Sequence, residues 1–401
     1  MNFLFLVHKY PIGEKESCLE KDFIKALSKR GNKIYVISPL EKRYNKKTYL
    51  YKDEYAEVLF VRTGNRTKEY TLVGKVLTIL TTPILIKNAY KKYFRDISVE
   101  NIITYTPFMS NYSLMSYLKK KLKSKVTLFL WDIMPQTARD MGIIKNNIIF
   151  SYMKKKEQKI YNLVDKIIIN CDEAKRYIIN NGYKNQKDLI FIRNPEFIVN
   201  TLKIQKEQEK VRKKYNYSKD DIVCVFGGNM GMLQNLNNLL NLAKEIKDYE
   251  NIKFLLIGDG KEKIKLEKRV KLEHINNLKI LDVIPKDEYD KTIAAFDAGL
   301  IVLSEKNTVP NFPTKVTAYL KLGIPMFGIL DEAAGNGVGN FIFENNIGIW
   351  SKAGDLKDTK KKFLKFIENL KNNEYDEKKL KQLYKREFDI EKAITKFEKE
   401  I

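Results

Sequence analysis

A proline, a threonine and a lysine stand at the start of a predicted helix in the segment Pro313-Thr314-Lys315. Proline suits a first helical turn, because the N–H that it lacks would have no partner there. The first N–H groups of a helix point outward, and a neighbouring lysine adds positive charge. The segment therefore predicts an anion-binding site. In the alternative interpretation, Lys315 is one more solvated lysine in a lysine-rich chain.

A carboxylate stands at a second place where chemistry is expected. Asp132 directly follows a predicted strand over 126–130 and precedes Pro135. A carboxylate in such a loop can act as a general base or bind the hydroxyl of an acceptor. The alternative is that Asp132 caps a helix.

Polar residues also follow the first predicted strand, over 3–7. They are His8, Gly13 and the pair Glu14 and Glu16. A ligand would lie here if the strand belongs to a parallel sheet. A purely structural role in the loop is the alternative for His8.

Two glycine-rich segments follow predicted strands in the second half of the chain. Gly227-Gly228-Asn229-Met230-Gly231 follows the strand over 222–226, and Gly258-Asp259-Gly260 follows the strand over 254–257. Glycines between a strand and a helix let backbone N–H groups approach a phosphate or a sugar closely. The spacing differs from the G-x-G-x-x-G of a dinucleotide site.

The elements that position these residues alternate along the chain. Short apolar runs of strand length are followed by segments with helical periodicity, which predicts an α/β protein with parallel sheets. Ligands of such sheets bind beyond the carboxyl ends of the strands, where all of these candidates lie. A length of 401 residues predicts two domains, and the very polar stretch over 200–219 places the boundary just before residue 200.

The charge balance narrows the class of partner. The net charge of +24 favours anionic partners, such as nucleic acid, a membrane surface or a phosphorylated ligand. Only 11 of the 74 basic residues are arginine, the residue that specific base recognition uses most, so no nucleic-acid partner is expected. Cys18, Cys171 and Cys224 show no metal-binding spacing, so we expect reduced thiols in a cytoplasmic protein without a metal site.

Membrane contact is left open by the sequence. No signal peptide is predicted, and the apolar stretch over 76–86 is shorter than the roughly 20 residues that a membrane span needs. The segment 71–93 carries apolar residues with lysines at both ends. It could lie on an anionic membrane surface, or it could be an amphipathic helix packed on the sheet with its lysines in water.

Three motifs occur in a recognisable order. They are Gly228-Asn-Met-Gly-Met-Leu-Gln234, Gly258-Asp-Gly260 and Pro313-Thr-Lys…Tyr319-Leu…Gly323-Ile-Pro325. In this order the chain resembles a retaining glycosyltransferase of glycosyltransferase family 4, in the branch that builds bacterial capsule and O-antigen polysaccharides. The resemblance extends over the whole length, and the first half contributes Gly13, Trp131-Asp132…Pro135-Gln136 and Asn194-Pro195.

The resemblance implies a GT-B fold, in which two Rossmann-like, doubly wound parallel-sheet domains face each other across a cleft. Residues 1–199, joined by a C-terminal helix over 377–401, would bind the acceptor. Residues 200–376 would bind a nucleotide sugar. The implied reaction transfers a sugar, with retention, from a nucleoside diphosphate sugar, expected to be UDP-linked, to a hydroxyl of a lipid-linked glycan. No cofactor is expected, and the protein would be cytoplasmic or peripheral on the inner face of the cell membrane.

The same resemblance assigns roles to residues. Lys315 and Asp132 are the implied catalytic residues. The implied donor-binding residues are Gly13, Gly228, Asn229, Gly231, Gly258, Asp259, Gly260, Ile284, Pro313, Thr314 and Lys315. The implied acceptor-binding residues are His8, Glu16, Asp132 and Arg139.

The chain departs from the family pattern at two pairs of positions. The two carboxylates that the family shares in this segment would fall at Asn311 and Ala318, and the basic residues that many members direct at the diphosphate would fall near Asn229 and Gln234. Lys315 and the helix start would therefore supply the positive charge. The missing carboxylates also suggest an alternative function, that of a non-catalytic sugar-nucleotide or membrane-binding homologue.

Overall fold

Two compact units make up the chain in the computed structural model. The structure describes residues 1–12, 18–65, 72–107, 111–199 and 207–401. The first unit comprises residues 1–135, 144–197 and 389–401, and the second comprises residues 136–143 and 198–388. The chain passes from the first unit to the second after residue 197 and returns to the first after residue 388, and the segment 136–143 groups with the second unit. The predicted domain limits at 199/200 and at 377 stay predictions.

The first unit is built on an eight-stranded sheet with the order β3-β4-β2-β1-β5-β6-β7-β8. All neighbouring strands are parallel except β3 and β4, which are antiparallel. The strands are β1 (Asn2–Leu6), β2 (Lys33–Glu41), β3 (Tyr49–Lys52), β4 (Glu57–Thr63), β5 (Asn101–Tyr105), β6 (Lys125–Phe129), β7 (Lys166–Ile169) and β8 (Leu189–Phe191). The strand β3 was not predicted from the sequence; it is a short edge strand whose side chains are alternately half-buried and exposed.

Helices cover both faces of this sheet. They are α1 (Leu19–Lys29), α2 (Leu72–Tyr93), α3 (Tyr112–Leu122), α5 (Asn147–Leu163), α6 (Asp172–Asn180) and, from the C-terminus, α14 (Ile390–Glu400). The helix α3 contacts both α2 and α5, whereas α1 packs against α14. Right-handed crossovers place α1 on one face and α2, α3 and α5 on the other, because the strand order runs in opposite directions from β1 to β4 and from β5 to β8.

The second unit contains a six-stranded, fully parallel sheet with the order β11-β10-β9-β12-β13-β14. Its strands are β9 (Ile222–Asn229), β10 (Ile252–Asp259), β11 (Leu278–Leu281), β12 (Ala298–Val302), β13 (Met326–Leu330) and β14 (Gly348–Lys352). Fully buried phenylalanines from the sheet and from the helix over 356–371 fill the core, including Phe254, Phe327 and Phe363. The predicted parallel α/β architecture is confirmed in both units.

The helices of the second unit complete this architecture. They are α4 (Gln136–Asp140), α7 (Gln208–Lys214), α8 (Asn237–Glu245), α9 (Lys263–Leu272), α10 (Lys286–Ile293), α11 (Lys315–Leu322), α12 (Leu356–Lys371) and α13 (Glu377–Glu387). Three short helical turns, Glu332–Ala334, Gly335–Gly339 and Asn340–Glu344, follow β13. None of the helices that the structure describes combines the length and the apolar character that a membrane span requires.

Two helix predictions need correction. The helix expected from about Gln234 starts only at Asn237, because Asn235 adopts a left-handed conformation with φ 36°. The single C-terminal helix expected over 377–401 is two helices. It breaks where the Asp389 side chain caps α14 by accepting a hydrogen bond from the Glu391 N–H.

Candidate functional site

The two glycine segments lie side by side at the carboxyl ends of β9 and β10. In the parallel register Gly228 is opposite Gly258, and Asn229 is opposite Asp259. A Cβ atom on Gly258 would lie 1.9 Å from the Gly228 carbonyl oxygen, so only glycine permits this close approach. The structure thus brings four predicted donor-binding residues to one edge of the sheet, with Gly228 and Asn229 exposed to solvent.

Lys315 reaches the same edge from α11. The helix starts at Lys315, after Thr314 at the N-cap position, rather than including Pro313 in its first turn. The Lys315 Nζ lies 4.7 Å from the centroid of the Phe226 ring and 3.3 Å from the position that a Cβ on Gly228 would take. The ammonium group therefore lies beside the glycine segment at the carboxyl end of β9.

No carboxylate balances the charge of Lys315 in the part of the chain that the structure describes, and no hydrogen bond to its Nζ is formed there. Removal of the side chain from water lowers the pKa of Lys315 to about 8. A partly buried ammonium with an aromatic ring on one side and backbone on another favours an anionic ligand, because an anion would restore the lost solvation.

Tyr319 fixes the helix that carries Lys315. Its hydroxyl shares its hydrogen between the carbonyl oxygens of Val225, at 3.0 Å, and Leu300, at 3.1 Å. The ring fills the space beside Gly299, where a Cβ would lie 2.3 Å from it. One buried side chain thus joins α11 to β9 and β12, one helical turn after Lys315.

Long-range hydrogen bonds hold the loop between β12 and α11. The Ser304 N–H donates to the Leu233 carbonyl at 2.7 Å, which joins this loop to the one after β9. The Asn307 side-chain amide donates to a carboxylate oxygen of Asp331 at 3.2 Å, and the other oxygen of Asp331 accepts from the Ala334 N–H at 2.9 Å. Burial raises the pKa of Asp331 to about 6.

Asp140 in α4 also holds this loop. One of its carboxylate oxygens accepts hydrogen bonds from both the N–H and the hydroxyl of Thr308, at 2.8 and 2.7 Å, and the other accepts from Gln136. Arg139, a predicted acceptor-binding residue, precedes Asp140 in this helix. It therefore lies in a segment that groups with the second unit.

Asp132 follows β6 at the carboxyl edge of the first sheet. The N–H groups of Trp131 and Asp132 both donate to the Thr106 hydroxyl, each at 2.9 Å. Among the described residues, no side-chain or backbone group pairs with the Asp132 carboxylate. Partial desolvation raises the pKa of this carboxyl, although the residue as a whole stays exposed to solvent and so remains accessible to a ligand.

The remaining predicted residues are distributed along these two sheet edges. His8 follows β1 in the first unit, and Ile284 lies in the loop after β11 in the second. Gly231 donates its N–H to the Gln234 side chain at 3.3 Å. Gly13 and Glu16 lie outside the described residues. The roles of all these residues stay predictions.

Three residues with structural roles at these two sheet edges could not be expected from the sequence. Thr106 and Asp331 act through contacts distant in sequence, which no local pattern reveals. Tyr289 fills the space beside Gly227, where a Cβ would lie 1.8 Å from its hydroxyl oxygen. The only available signal was the glycine itself, since a glycine inside a strand often marks the close approach of another group.

Comparison with known proteins shows which proteins the chain is similar to. Residues 207–383 match the family model described as "Glycosyl transferases group 1". The chain is 22% identical over 232 residues to a probable glycosyltransferase, WbjE, from Pseudomonas aeruginosa, an alignment that covers 58% of this chain and 57% of that protein. The chain thus matches little more than half the length of this curated relative.

Solved structures extend the likeness to the whole chain at the level of fold. Sucrose-phosphate synthase from Thermosynechococcus elongatus aligns with a TM-score of 0.76 at 12% identity, over 99% of this chain and 98% of that one. HepE from Anabaena in complex with UDP-glucose aligns with a TM-score of 0.68 at 12% identity, over 100% of both chains. Together with the two parallel-sheet units, these neighbours support the predicted GT-B fold.

Proposed function

We propose that the protein is a retaining glycosyltransferase, on the premise that residues 207–383, which match the family model described as "Glycosyl transferases group 1", form a domain of that kind. It takes a sugar from a nucleoside diphosphate sugar, with UDP as the expected nucleotide, and transfers it to a hydroxyl of a lipid-linked glycan in bacterial surface polysaccharide synthesis. The sugar is of the hexosyl or N-acetylhexosaminyl type. The protein would act in the cytoplasm, at the inner face of the cell membrane.

The observation that carries the proposal is the ammonium group of Lys315 beside Gly228, whose charge no carboxylate of the described residues balances. A diphosphate placed at this edge would receive the Lys315 charge, the outward N–H groups of α11 and the backbone of the glycine segment. The HepE structure contains UDP-glucose, which supports a nucleotide sugar as the first ligand to test.

The proposed reaction breaks the bond between the anomeric carbon and the diphosphate oxygen, and forms a bond between that carbon and the acceptor oxygen. Negative charge develops on the departing diphosphate, where preorganised positive groups give the largest stabilisation. If the acceptor attacks from the leaving-group face, the anomeric configuration is retained. The proton of the acceptor hydroxyl then passes to the diphosphate, and the products are the nucleoside diphosphate and the extended glycan.

The first unit would bind the acceptor in this proposal. No group of the described residues pairs with the Asp132 carboxylate, which can therefore accept a hydrogen bond from the acceptor hydroxyl. The Thr106 hydroxyl fixes the backbone that presents this carboxylate. Orientation of the attacking oxygen is the role that we assign to Asp132, because the diphosphate takes the proton.

A donor panel tests the proposal. The purified protein would be incubated with radiolabelled UDP-sugars and with membrane extract, and label would be followed in the lipid fraction. We expect transfer from at least one donor, loss of transfer in Lys315→Met, and unchanged transfer in Lys268→Met, which removes an exposed lysine of α9. The anomeric configuration of the product, measured by NMR, would test retention.

A non-catalytic homologue is the second candidate, and Asn311 and Ala318 favour it because they occupy the positions where the family carries its carboxylates. This candidate predicts that UDP-sugars bind but are neither hydrolysed nor transferred with any extract. A protein that binds no nucleoside diphosphate at all would contradict both candidates.

A further inference from the structure

Three aromatic rings pack in a row that ends at the carboxyl edge of the first sheet. The ring of Tyr105, the last residue of β5, lies 4.7 Å from the Phe129 ring at an interplanar angle of 21°. On its other side it lies 4.7 Å from the Trp131 ring, at 39°. Phe129 and Tyr105 are buried, whereas Trp131 is only half-buried. The row therefore holds one indole in a fixed orientation at an edge that solvent reaches.

Glu20 lies at the same edge, in the first turn of α1. Phe23 follows Glu20 by three residues, so the two side chains lie on one face of the helix. The Phe23 ring meets the Phe129 ring edge to face, at 5.0 Å between the centroids. Glu20 lies about one turn before this contact, toward the carboxyl edge at which α1 begins. Its carboxylate is therefore brought to the end of the aromatic row, near Tyr105 and Trp131.

The Tyr105 hydroxyl is a buried polar group that has no hydrogen-bond partner in the part of the chain that the structure describes. Burial raises the pKa of this hydroxyl well above its usual value, and the nearby Glu20 carboxylate raises it further. Buried hydroxyls in native proteins are normally hydrogen-bonded, so one that is not needs an explanation. Its unused capacity for hydrogen bonding lies beside a carboxylate and favours a polar ligand there.

The Glu20 carboxylate also lacks a strong partner. It accepts a hydrogen bond from the Cys18 thiol, a weak donor, and removal from water raises its pKa. No cationic side chain among the described residues forms an ion pair with it. A partly desolvated carboxylate in this state favours a ligand that donates hydrogen bonds.

The start of α6 provides a matched comparison. Cys171 caps α6 with φ −150° and ψ 159°, as Cys18 caps α1 with φ −146° and ψ 165°, and Glu173 occupies the position that Glu20 has in α1. The Glu173 carboxylate accepts a hydrogen bond from Arg176 at 2.7 Å, three residues later. The corresponding residue of α1 is the buried Phe23. The same helix start thus has its carboxylate paired in α6 and left for a ligand in α1.

A sugar ring matches the groups at this edge. One face of a sugar ring consists of C–H groups that pack on an aromatic ring, and the hydroxyls at its rim donate hydrogen bonds to a carboxylate. Asp132 directly follows Trp131, so their Cα atoms are about 3.8 Å apart. A sugar on the indole would lie beside the carboxylate that we assign to the attacking hydroxyl. An indole and a carboxylate also attract cations, but the net charge of +24 disfavours a cationic ligand.

We propose that Trp131 and Glu20, with Tyr105 behind them, form the subsite for the sugar ring that carries the attacking hydroxyl. The indole packs on the C–H face of the ring. Glu20 accepts hydrogen bonds from hydroxyls other than the attacking one and so rejects acceptors that lack them. The inference rests on the proposed function for what the bound sugar does, whereas sugar binding itself requires neither donor nor transfer.

Saturation-transfer NMR of the full chain with methyl glycosides of hexoses, N-acetylhexosamines and 6-deoxyhexoses tests the inference without donor. We expect at least one glycoside to bind at millimolar concentration, with the strongest saturation at its ring C–H protons. Trp131→Leu and, separately, Glu20→Gln should each weaken this binding about tenfold. Glu173→Gln, the same change at the matched position of α6, should bind the glycoside as the wild type does.

Transfer kinetics give a second measurement. With the acceptor found in the transfer assay, Glu20→Gln should raise the acceptor KM about tenfold and change kcat much less. All variants should keep the wild-type circular dichroism spectrum, which shows that they are folded. They should also keep the wild-type affinity for UDP, which separates this subsite from the donor site.

The outcomes of the two proposals are distinguishable. A wild type that binds none of the glycosides, or that binds them no better than both variants do, would overturn the sugar subsite even if transfer is found. Binding confined to an amine such as glucosamine would also overturn it, because that result identifies a cation site. Glycoside binding that depends on Trp131 and Glu20 without any transfer would support the subsite and contradict the proposed function.

Discussion

The Nζ of Lys315 lies 4.7 Å from the centroid of the Phe226 ring, at the end of a parallel strand. The ring contacts the ammonium group but does not neutralise its charge. Because the adjacent Gly228 has no side chain, the other side of the ammonium group is open to backbone and solvent. A charge held in this way lowers the stability of the free protein and favours an anionic ligand.

Lys315→Met should make the free protein more stable at pH 7, by about 1–3 kcal/mol, because it removes a partly buried charge with no ion-pair partner among the described residues. The pKa of Lys315 is about 8 in the folded protein and close to 10.5 in the unfolded chain. The folded state therefore binds fewer protons between these values, so wild-type stability rises with pH in this window and the difference shrinks. Urea unfolding at pH 7 and pH 9.5 measures the difference in the free energy of unfolding between the two proteins. A variant that is less stable than the wild type at pH 7 would contradict the prediction.

Gly228→Ala should weaken UDP binding about tenfold or more. The new Cβ would lie 3.3 Å from the Lys315 Nζ and 3.4 Å from its Cε, on a backbone with φ 131°. Gly31→Ala is the matched control, because Gly31 has φ 81° and nothing within 4 Å of its Cβ position. Both variants should lose about 1 kcal/mol of stability through backbone strain. Equal UDP affinities in calorimetry would show that the Gly228 contact does not matter.

Tyr319→Phe should lower the free energy of unfolding by about 1–3 kcal/mol, because it leaves the buried carbonyls of Val225 and Leu300 without their shared donor. It should also weaken UDP binding several-fold, since α11 and Lys315 lose an anchor to β9 and β12. Denaturation and calorimetry on one preparation measure both effects. A loss of stability with unchanged UDP affinity would mean that Tyr319 supports the fold but does not position Lys315.

Asp132→Asn should reduce kcat for glycan transfer about 100-fold or more and leave the affinity for UDP unchanged, because Asp132 acts on the acceptor. Desolvation raises the pKa of this carboxyl, and the working form is the carboxylate. Wild-type activity should therefore be lost as pH falls through this raised pKa, at a higher pH than for an ordinary aspartate. Asp172→Asn, which changes an exposed residue of α6, is the control. An unchanged kcat would remove Asp132 from the mechanism.

Much of the fold could be predicted from apolar periodicity, because parallel sheets buried on both faces require continuous apolar strands. The order of strand, glycines and helix also predicted that Gly228, Gly258 and Lys315 would share one edge. The break between α13 and α14 could not be predicted, because the lysine- and glutamate-rich periodicity continues across the capping residue Asp389.

The long-range hydrogen bonds that hold the candidate residues in place could not be predicted from the sequence, for a different reason. Tyr319 has the spacing of a core residue, and nothing local indicates that its hydroxyl bonds two strands. The pairing of Asn307 with Asp331 joins two loops that follow different strands. Such contacts depend on the packed positions of distant elements, which periodicity and motif spacing do not encode.

Calorimetric titration of UDP into the wild type and Lys315→Met, at pH 7 and pH 9, tests the central claim most directly. With a pKa of about 8 in the free protein, Lys315 is mostly charged at pH 7 and mostly neutral at pH 9. We expect the wild-type affinity for UDP to fall roughly tenfold between these pH values, relative to the variant, and the variant to bind UDP more weakly than the wild type at pH 7. Equal affinities of the two proteins at pH 7, with the same dependence on pH, would contradict the assignment of Lys315 to the diphosphate.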